Sequence, residues 1–153
     1  MLEKLRLGLL DKLVAEQACR DLVLQAAALT DSQAYEEFAA LFCDDGELIR
    51  PGGQPLRGRA AIVESYRARP AGRITRHLVT NTLVQLDSDT AAHARSSVLL
   101  WTGSVSDGTG PFGRRAHPRQ VVGEFEDSFE LTANGWRIAR REARFVLHVE
   151  APE

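Results

Sequence analysis

Residues 119–132, RQVVGEFEDSFELT, alternate with a period of two. Val121, Gly123, Phe125, Asp127, Phe129 and Leu131 share one side, and Gln120, Glu124, Glu126 and Glu130 share the other. A run with one apolar face and one acidic face fits a strand that covers a core on one side and meets water on the other. It is one of four β-patterned segments, 74–86, 91–102, 119–132 and 135–149. They are separated by DSDT (87–90), the glycine-rich stretch 103–118 and ANG (133–135), the last with Asn-Gly hairpin chemistry. Strands this long favour a strongly curved sheet, and a sheet curved into a cone leaves a pocket at its open end.

Ahead of Arg73 the pattern is helical. Leu2, Leu5, Leu9 and Leu13 recur at three and four, as do Leu22, Ala26 and Leu29, which predicts a first helix over 2–29. A second helix follows, capped by Thr30, Asp31 or Ser32, striped by Tyr35, Phe38, Ala39, Leu41 and Phe42, and ended by Asp44-Asp45-Gly46. ELIRPGGQPLRG reads as a short hairpin, and RAAIVESYRAR as a third helix stopped by Pro70 and Gly72. Helices first and an antiparallel meander second predict an α+β fold: a cone-shaped α+β barrel with its N-terminal helices packed in a strongly curved antiparallel sheet.

The 153 residues are expected to form one domain, 1–153, large enough to bury a core without disulfides or metal. The net charge is −2 with Lys and Arg spread along the chain, which argues against a nucleic-acid or membrane surface. The N-terminal MLEKLRLGLLDKL mixes acids and bases and does not read as a signal peptide. Cys19 and Cys43 lack CxxC spacing and read as buried free thiols, so a cytoplasmic location is expected. The four histidines are isolated from one another, and no dinucleotide, Walker or nucleophile-elbow motif is present. Neither a cofactor nor a metal is expected.

ALTDSQAYEEFAALFCDDGELIRP, TRHLVTN followed by AHARSSVLLW, and VVGEFEDSFELTANGWRIARREARF together resemble, in order and spacing, the NTF2-like (SnoaL-like) α+β barrel superfamily. The resemblance spans nearly the whole chain. Two branches fit. In the dehydratase-like branch (scytalone dehydratase, bile-acid dehydratase and lindane dehydrochlorinase types) an Asp after the first helix pairs with a His on the sheet. Those positions fall on Asp31 and His77. The bile-acid dehydratase type adds an Arg on the last strand, which falls on Arg144. Its second acid, on the strand after the His, is absent here, where the sequence reads SSVLL. The other branch is the β subunit of aromatic-ring-hydroxylating dioxygenases, a mainly structural partner of an iron-bearing α subunit.

Thr75, His77, Val79 and Asn81 share one strand face and Ile74, Arg76, Leu78 and Thr80 the other. Arg76 belongs toward water, which sends His77 into the cone. An imidazole in a dry pocket suits a general base, and a carboxylate on one ring nitrogen fixes its tautomer. The competing reading has His77 bonded to a backbone carbonyl and Asp31 as a helix cap. Arg144 would clamp an oxyanion or leaving group. Tyr35, Tyr66, Asn81 and Trp101 are the expected substrate-binding residues, against a plainer reading of the aromatics as core.

The expectation is a cofactor-independent acid–base enzyme (dehydratase, isomerase or cyclase type) acting on a small apolar ring-containing molecule. The alternatives are a β-subunit-like structural partner and a ligand-binding protein without chemistry. On 91–102, Ala92, Ala94, Val98 and Leu100 oppose Leu99 and Trp101. On 135–149, Trp136 and Ile138 oppose Ala139, Ala143, Phe145 and Leu147 unless a bulge intervenes. Either way an apolar patch remains on the convex side, rimmed by Arg95, Glu124 and Arg141, and a homodimer through the outer faces is expected.

Overall fold

The computed structural model describes residues 2–150, with side chains from Gly8 onward. Leu2 and Leu5 of the expected helical stripe, and the ends of the expected 1–153 domain, lie outside those side chains and residues. The elements run α1 (Leu2–Asp31), α2 (Tyr35–Ala40), β1 (Phe42–Ile49), β2 (Leu56–Arg57), α3 (Arg59–Arg67), β3 (Arg73–Leu86) and β4 (Ala91–Ser104). Then come the short pair β5 (Thr109–Gly110) and β6 (Gly113–Arg114), followed by β7 (Gln120–Thr132) and β8 (Gly135–Val149). The main sheet has six strands in the order β2-β1-β8-β7-β4-β3. Its ladders are antiparallel except where β1 lies parallel to β8. The sheet is strongly curved, and the helices pack in its hollow, as the patterning predicts. No helix among the described residues is long and apolar enough to cross a membrane.

The core joins Cys19, Val23 and Ala26 of α1 to Phe38, Phe42 and Ile62 and to Phe129 and Ile138 of the sheet, all essentially without exposure. Each residue placed there contributes about 1.5–3 kcal/mol for a large apolar side chain. The stripe expected at the start of α1 does not pack: Leu9 and Leu13 are 58% and 52% exposed. Cys19 and Cys43 are buried free thiols, and burial raises the Cys19 pKa to about 11.

The second helix is shorter than expected. Thr30 and Asp31 are the last residues of α1, and α2 begins after Ala34 with no side-chain cap. Phe42 and the Asp44-Asp45-Gly46 stretch belong to β1 and not to a helix end. The reason is a chain reversal at Gln33, which takes φ 60°. There the Ala34 N–H bonds the Leu29 carbonyl and the Gln33 N–H bonds the Thr30 carbonyl, closing α1 in a Schellman motif. The Gln33 amide then donates to the Ala71 and Arg73 carbonyls at 3.2 and 2.9 Å, docking the end of α1 onto the start of β3.

Three bulges set which side chains face the hollow. In β3 two residues, Asn81 and Thr82, oppose one of β4, and Asn81 takes φ 53°. In β8, Ala139 and Val146 are the extra residues opposite β7. The first of these overturns the face assignment made from strict alternation. Trp136, Ile138, Arg141, Ala143 and Phe145 share the inner side, while Leu147, beyond the second bulge, pairs with Val122 on the outer side.

Gly123 sits beside the second bulge. A Cβ there would stand 2.8 Å from the Arg144 carbonyl oxygen, a backbone atom that cannot swing away. Gly123→Ala is therefore expected to lower stability by about 1–3 kcal/mol, the usual cost of overpacking, as a shift of the urea midpoint. An unchanged midpoint would mean that β7 and β8 separate there at no cost.

Candidate active site

The end of α1 and the inner face of β3 meet at Asp31 and His77. His77 Nδ1–H donates to Asp31 Oδ1 at 2.6 Å, and the His77 backbone N–H donates to Oδ2 at 2.8 Å. The Thr75 hydroxyl donates to Oδ1 at 2.8 Å. Thr75 and His77 can both reach one carboxylate because they sit two residues apart on one strand face. Both side chains of the pair are 14% exposed. Burial pushes the Asp31 pKa up, but the hydrogen bonds from the His77 ring and backbone, with that of Thr75, outweigh it and leave the pKa lowered. The carboxylate is thus the acceptor, Nδ1 carries the proton, and Nε2 makes no hydrogen bond among the described residues. Asp31 is not a helix cap, because α1 continues through it.

His77 lines a cavity of about 110 Å³ inside the cone. That is several times the room a single water needs, so a compact organic molecule can enter. Ala26, Phe38, Leu48, Val98, Leu100 and Phe125 give it apolar walls. Tyr66 is part of the lining and is 6% exposed. Tyr35 stands behind it, ring centroids 5.3 Å apart, and contributes no wall.

Three expected site residues, Tyr35, Asn81 and Trp101, are not brought to the cavity, and a fourth, Arg144, borders it with its side chain turned away. The Arg144 side chain leaves β8 on the outer face, where it bonds Glu124 and Glu126 at 2.8 Å. Its guanidinium is committed to those two carboxylates, which leaves it no free donor pair for a clamp. Asn81 is the bulged residue and is exposed. Trp101 pairs with Arg76 on the outer side, next to the inward Leu100.

A different arginine lines the cavity. Arg141, expected at the rim, is 3% exposed and bonds Asp127 through Nε and Nη2 at 2.6 and 2.8 Å. Its guanidinium also lies 4.3 Å from the Phe125 ring centroid. The displacement follows from the Ala139 bulge, which turns Arg141 to the face that Ile138 occupies. The signal available in the sequence was Asp127, a lone acid on the apolar face of β7, which needs a buried cation opposite it. Arg50, Arg69 and Arg73 also line the cavity and were not anticipated. Among the described residues, no three His, Cys, Asp or Glu side chains converge as metal ligands.

The SnoaL-like domain model matches residues 11–142, most of the chain. The chain belongs to the SnoaL-like domain family. A scytalone dehydratase candidate from Novosphingobium aromaticivorans DSM 12444 is similar in structure, with a TM-score of 0.77 and 23% identity over 94% of this chain and 91% of that one. The hexachlorocyclohexane dehydrochlorinase LinA-type3 from Novosphingobium barchaimii LL02 gives a TM-score of 0.78 at 17% identity, over 93% of each chain. A protein from Catenulispora acidiphila gives 0.67 at 27% identity, over 87% of this chain and 91% of that one. No curated protein is a significant match. These likenesses establish the SnoaL-like cone fold, within which chemistry varies with the site.

Proposed function

We propose that this SnoaL-like chain is a cofactor-independent acid–base enzyme of the dehydratase, isomerase or cyclase type, acting on a small ring-containing molecule held in the cone. The observation that carries the reading is the Asp31–His77 pair, 2.6 Å apart at the wall of the cavity. With Nδ1–H committed to Asp31, the Nε2 lone pair of neutral His77 is the base. It takes a proton from a carbon next to a carbonyl or leaving group, and the C–H electron pair becomes the new double bond as the carbonyl π pair moves onto oxygen or the bond to the leaving group breaks and that group departs with its pair. The Asp31 carboxylate stabilises the imidazolium that results. Arg141, with Nη1 outside its Asp127 pair, serves as a donor to developing oxygen charge in place of Arg144.

Two further observations favour this reading over its alternatives. A structural partner without chemistry calls for a filled cone, and this one holds an open cavity. A passive binder calls for Asp31 as a helix cap and His77 bonded only to backbone, and neither is so. The likeness to a scytalone dehydratase candidate and a dehydrochlorinase is in keeping with elimination chemistry. The test is incubation with small ring ketones, hydroxyketones and alcohols, with products read by mass spectrometry. Conversion by the native chain and none by His77→Ala is the expected result. Equal conversion by both would sink the reading.

We further propose that the chain forms a homodimer through its outer sheet face. Leu78, Leu99, Val122 and Leu147 are directly paired from strand to strand, giving an aliphatic row across β3, β4, β7 and β8. Leu78, Val122 and Leu147 are 53%, 37% and 65% exposed. One and two rows away, the ion pairs of Arg144 with Glu124 and of Arg95 and Arg144 with Glu126 supply a polar rim. An aliphatic row edged by both charges is self-complementary about a two-fold axis. Light scattering should give twice the chain mass for the native protein and the single mass for Leu78→Glu. A monomeric native protein would overturn the assignment.

A further inference from the structure

The charges around the cavity do not balance. Asp31 is held by His77, Asp127 by Arg141 and Glu124 by Arg144. Arg50, Arg69 and Arg73 also line the cavity, and none of them forms an ion pair among the described residues. They come from three separate segments: the residue after β1, the loop after α3, and the first residue of β3. Arg50 and Arg69 lie against the same ring, their guanidinium carbons 5.3 and 4.3 Å from the Tyr66 centroid. A polar contact of Arg50 is a long one, 3.4 Å to the Ser65 carbonyl.

Guanidiniums gathered in this way repel one another, and at the half-buried Arg50 and Arg69 burial removes part of the water that would screen them, while Arg73 remains exposed. Burial first, and the charge of Arg69 second, lower the pKa of both Arg50 and Arg73. Such a cluster is unfavourable as it stands and is relieved by an anion. The planar fork of arginine matches the oxygens of a carboxylate or phosphate.

We propose that the mouth of the cavity is an anion site formed by Arg50, Arg69 and Arg73, and that the molecule bound is an organic anion whose apolar body fills the cone. This inference rests on the enzyme reading above only for the statement that the bound molecule is also the substrate. Arg73 and His77 share the inner face of β3 four residues apart, about 13 Å of strand. The anionic group is thus held at the mouth while the body of the molecule extends inward to His77. The substrate class shifts from purely apolar rings to ring compounds that carry a carboxylate or phosphate.

Titration calorimetry with cyclohexanecarboxylate, cyclohexyl phosphate and cyclohexanecarboxamide tests the site, on the native chain and on His77→Ala. At least one anion is expected to bind tenfold or more tightly than the amide, with or without His77. The stronger of the two anions identifies the group. Added salt should weaken the anion and leave the amide unchanged. Arg69→Gln and Arg73→Gln should each weaken the anion about tenfold and not the amide. Arg73 makes no side-chain hydrogen bond among the described residues, so its replacement leaves the fold in place. Equal binding of all three probes, no anion binding at millimolar concentration, or anion binding untouched by both substitutions would each overturn the proposal. Because binding is read without turnover, an inactive chain with a selective anion site would refute the enzyme reading alone.

Discussion

Asp127→Ala is expected to remove about 3–5 kcal/mol of unfolding free energy, because it strands the Arg141 charge in the core. The two side chains are 4% and 0% exposed, and their two hydrogen bonds are short and parallel. For a domain of this size the loss corresponds to a melting temperature lower by roughly 10–15 °C. The pair as a whole is worth far less than this, since bringing both charges out of water offsets most of their attraction. Asp127→Leu combined with Arg141→Met is therefore expected to recover most of the stability lost in either single replacement. Urea unfolding of the two single variants and the double variant measures the coupling. A loss below about 1 kcal/mol for Asp127→Ala would show that the cavity hydrates Arg141.

His77→Ala is expected to lower turnover by about 10²–10⁴-fold, the contribution of a positioned general base. Asp31→Asn should come close to the same loss, because an amide can neither stabilise the imidazolium nor dictate which ring nitrogen keeps the proton. The double replacement should be little worse than His77→Ala alone, since the two act as a unit. Losses that simply multiply would argue that Asp31 and His77 serve separate purposes. The pair also has a signature in stability. The Asp31 pKa is lowered in the fold, so its contribution is fully present above the ordinary carboxylate value of 3.8. It fades as pH falls from there through the lowered value. Asp31→Asn should therefore flatten the acid side of the stability profile and leave its neutral side parallel to the native curve.

The β patterning of the second half identified all four long strands to within a few residues, and the helical spacing identified α1 and α3. Both signals are local: a core-facing side recurs every second residue in a strand and every third or fourth in a helix. The inward direction of His77 was legible for the same reason, since Arg76 and Leu78 beside it belong to the other face. Asp31 as its partner rested on family resemblance, because the contact spans 46 positions of sequence. The length of α2 was misjudged where apolar spacing continued past Leu41 while the chain had already turned into β1.

The order of elements, the curved sheet and the inward imidazole are all consequences of short-range periodicity in side-chain polarity. Which arginines meet the cavity depends instead on how the strands pair and bend. Alternation carried forward from Ile138 sets Arg141 and Arg144 on faces opposite to those they occupy, because Ala139 is the extra residue of a bulge. No residue type at that position announces a bulge; it forms because the paired strands must bend together around the helices. The same holds for Asn81, and for Arg50, Arg69 and Arg73 lining one cavity. Three segments that share no local pattern converge there, and only the closure of the cone brings their charges together.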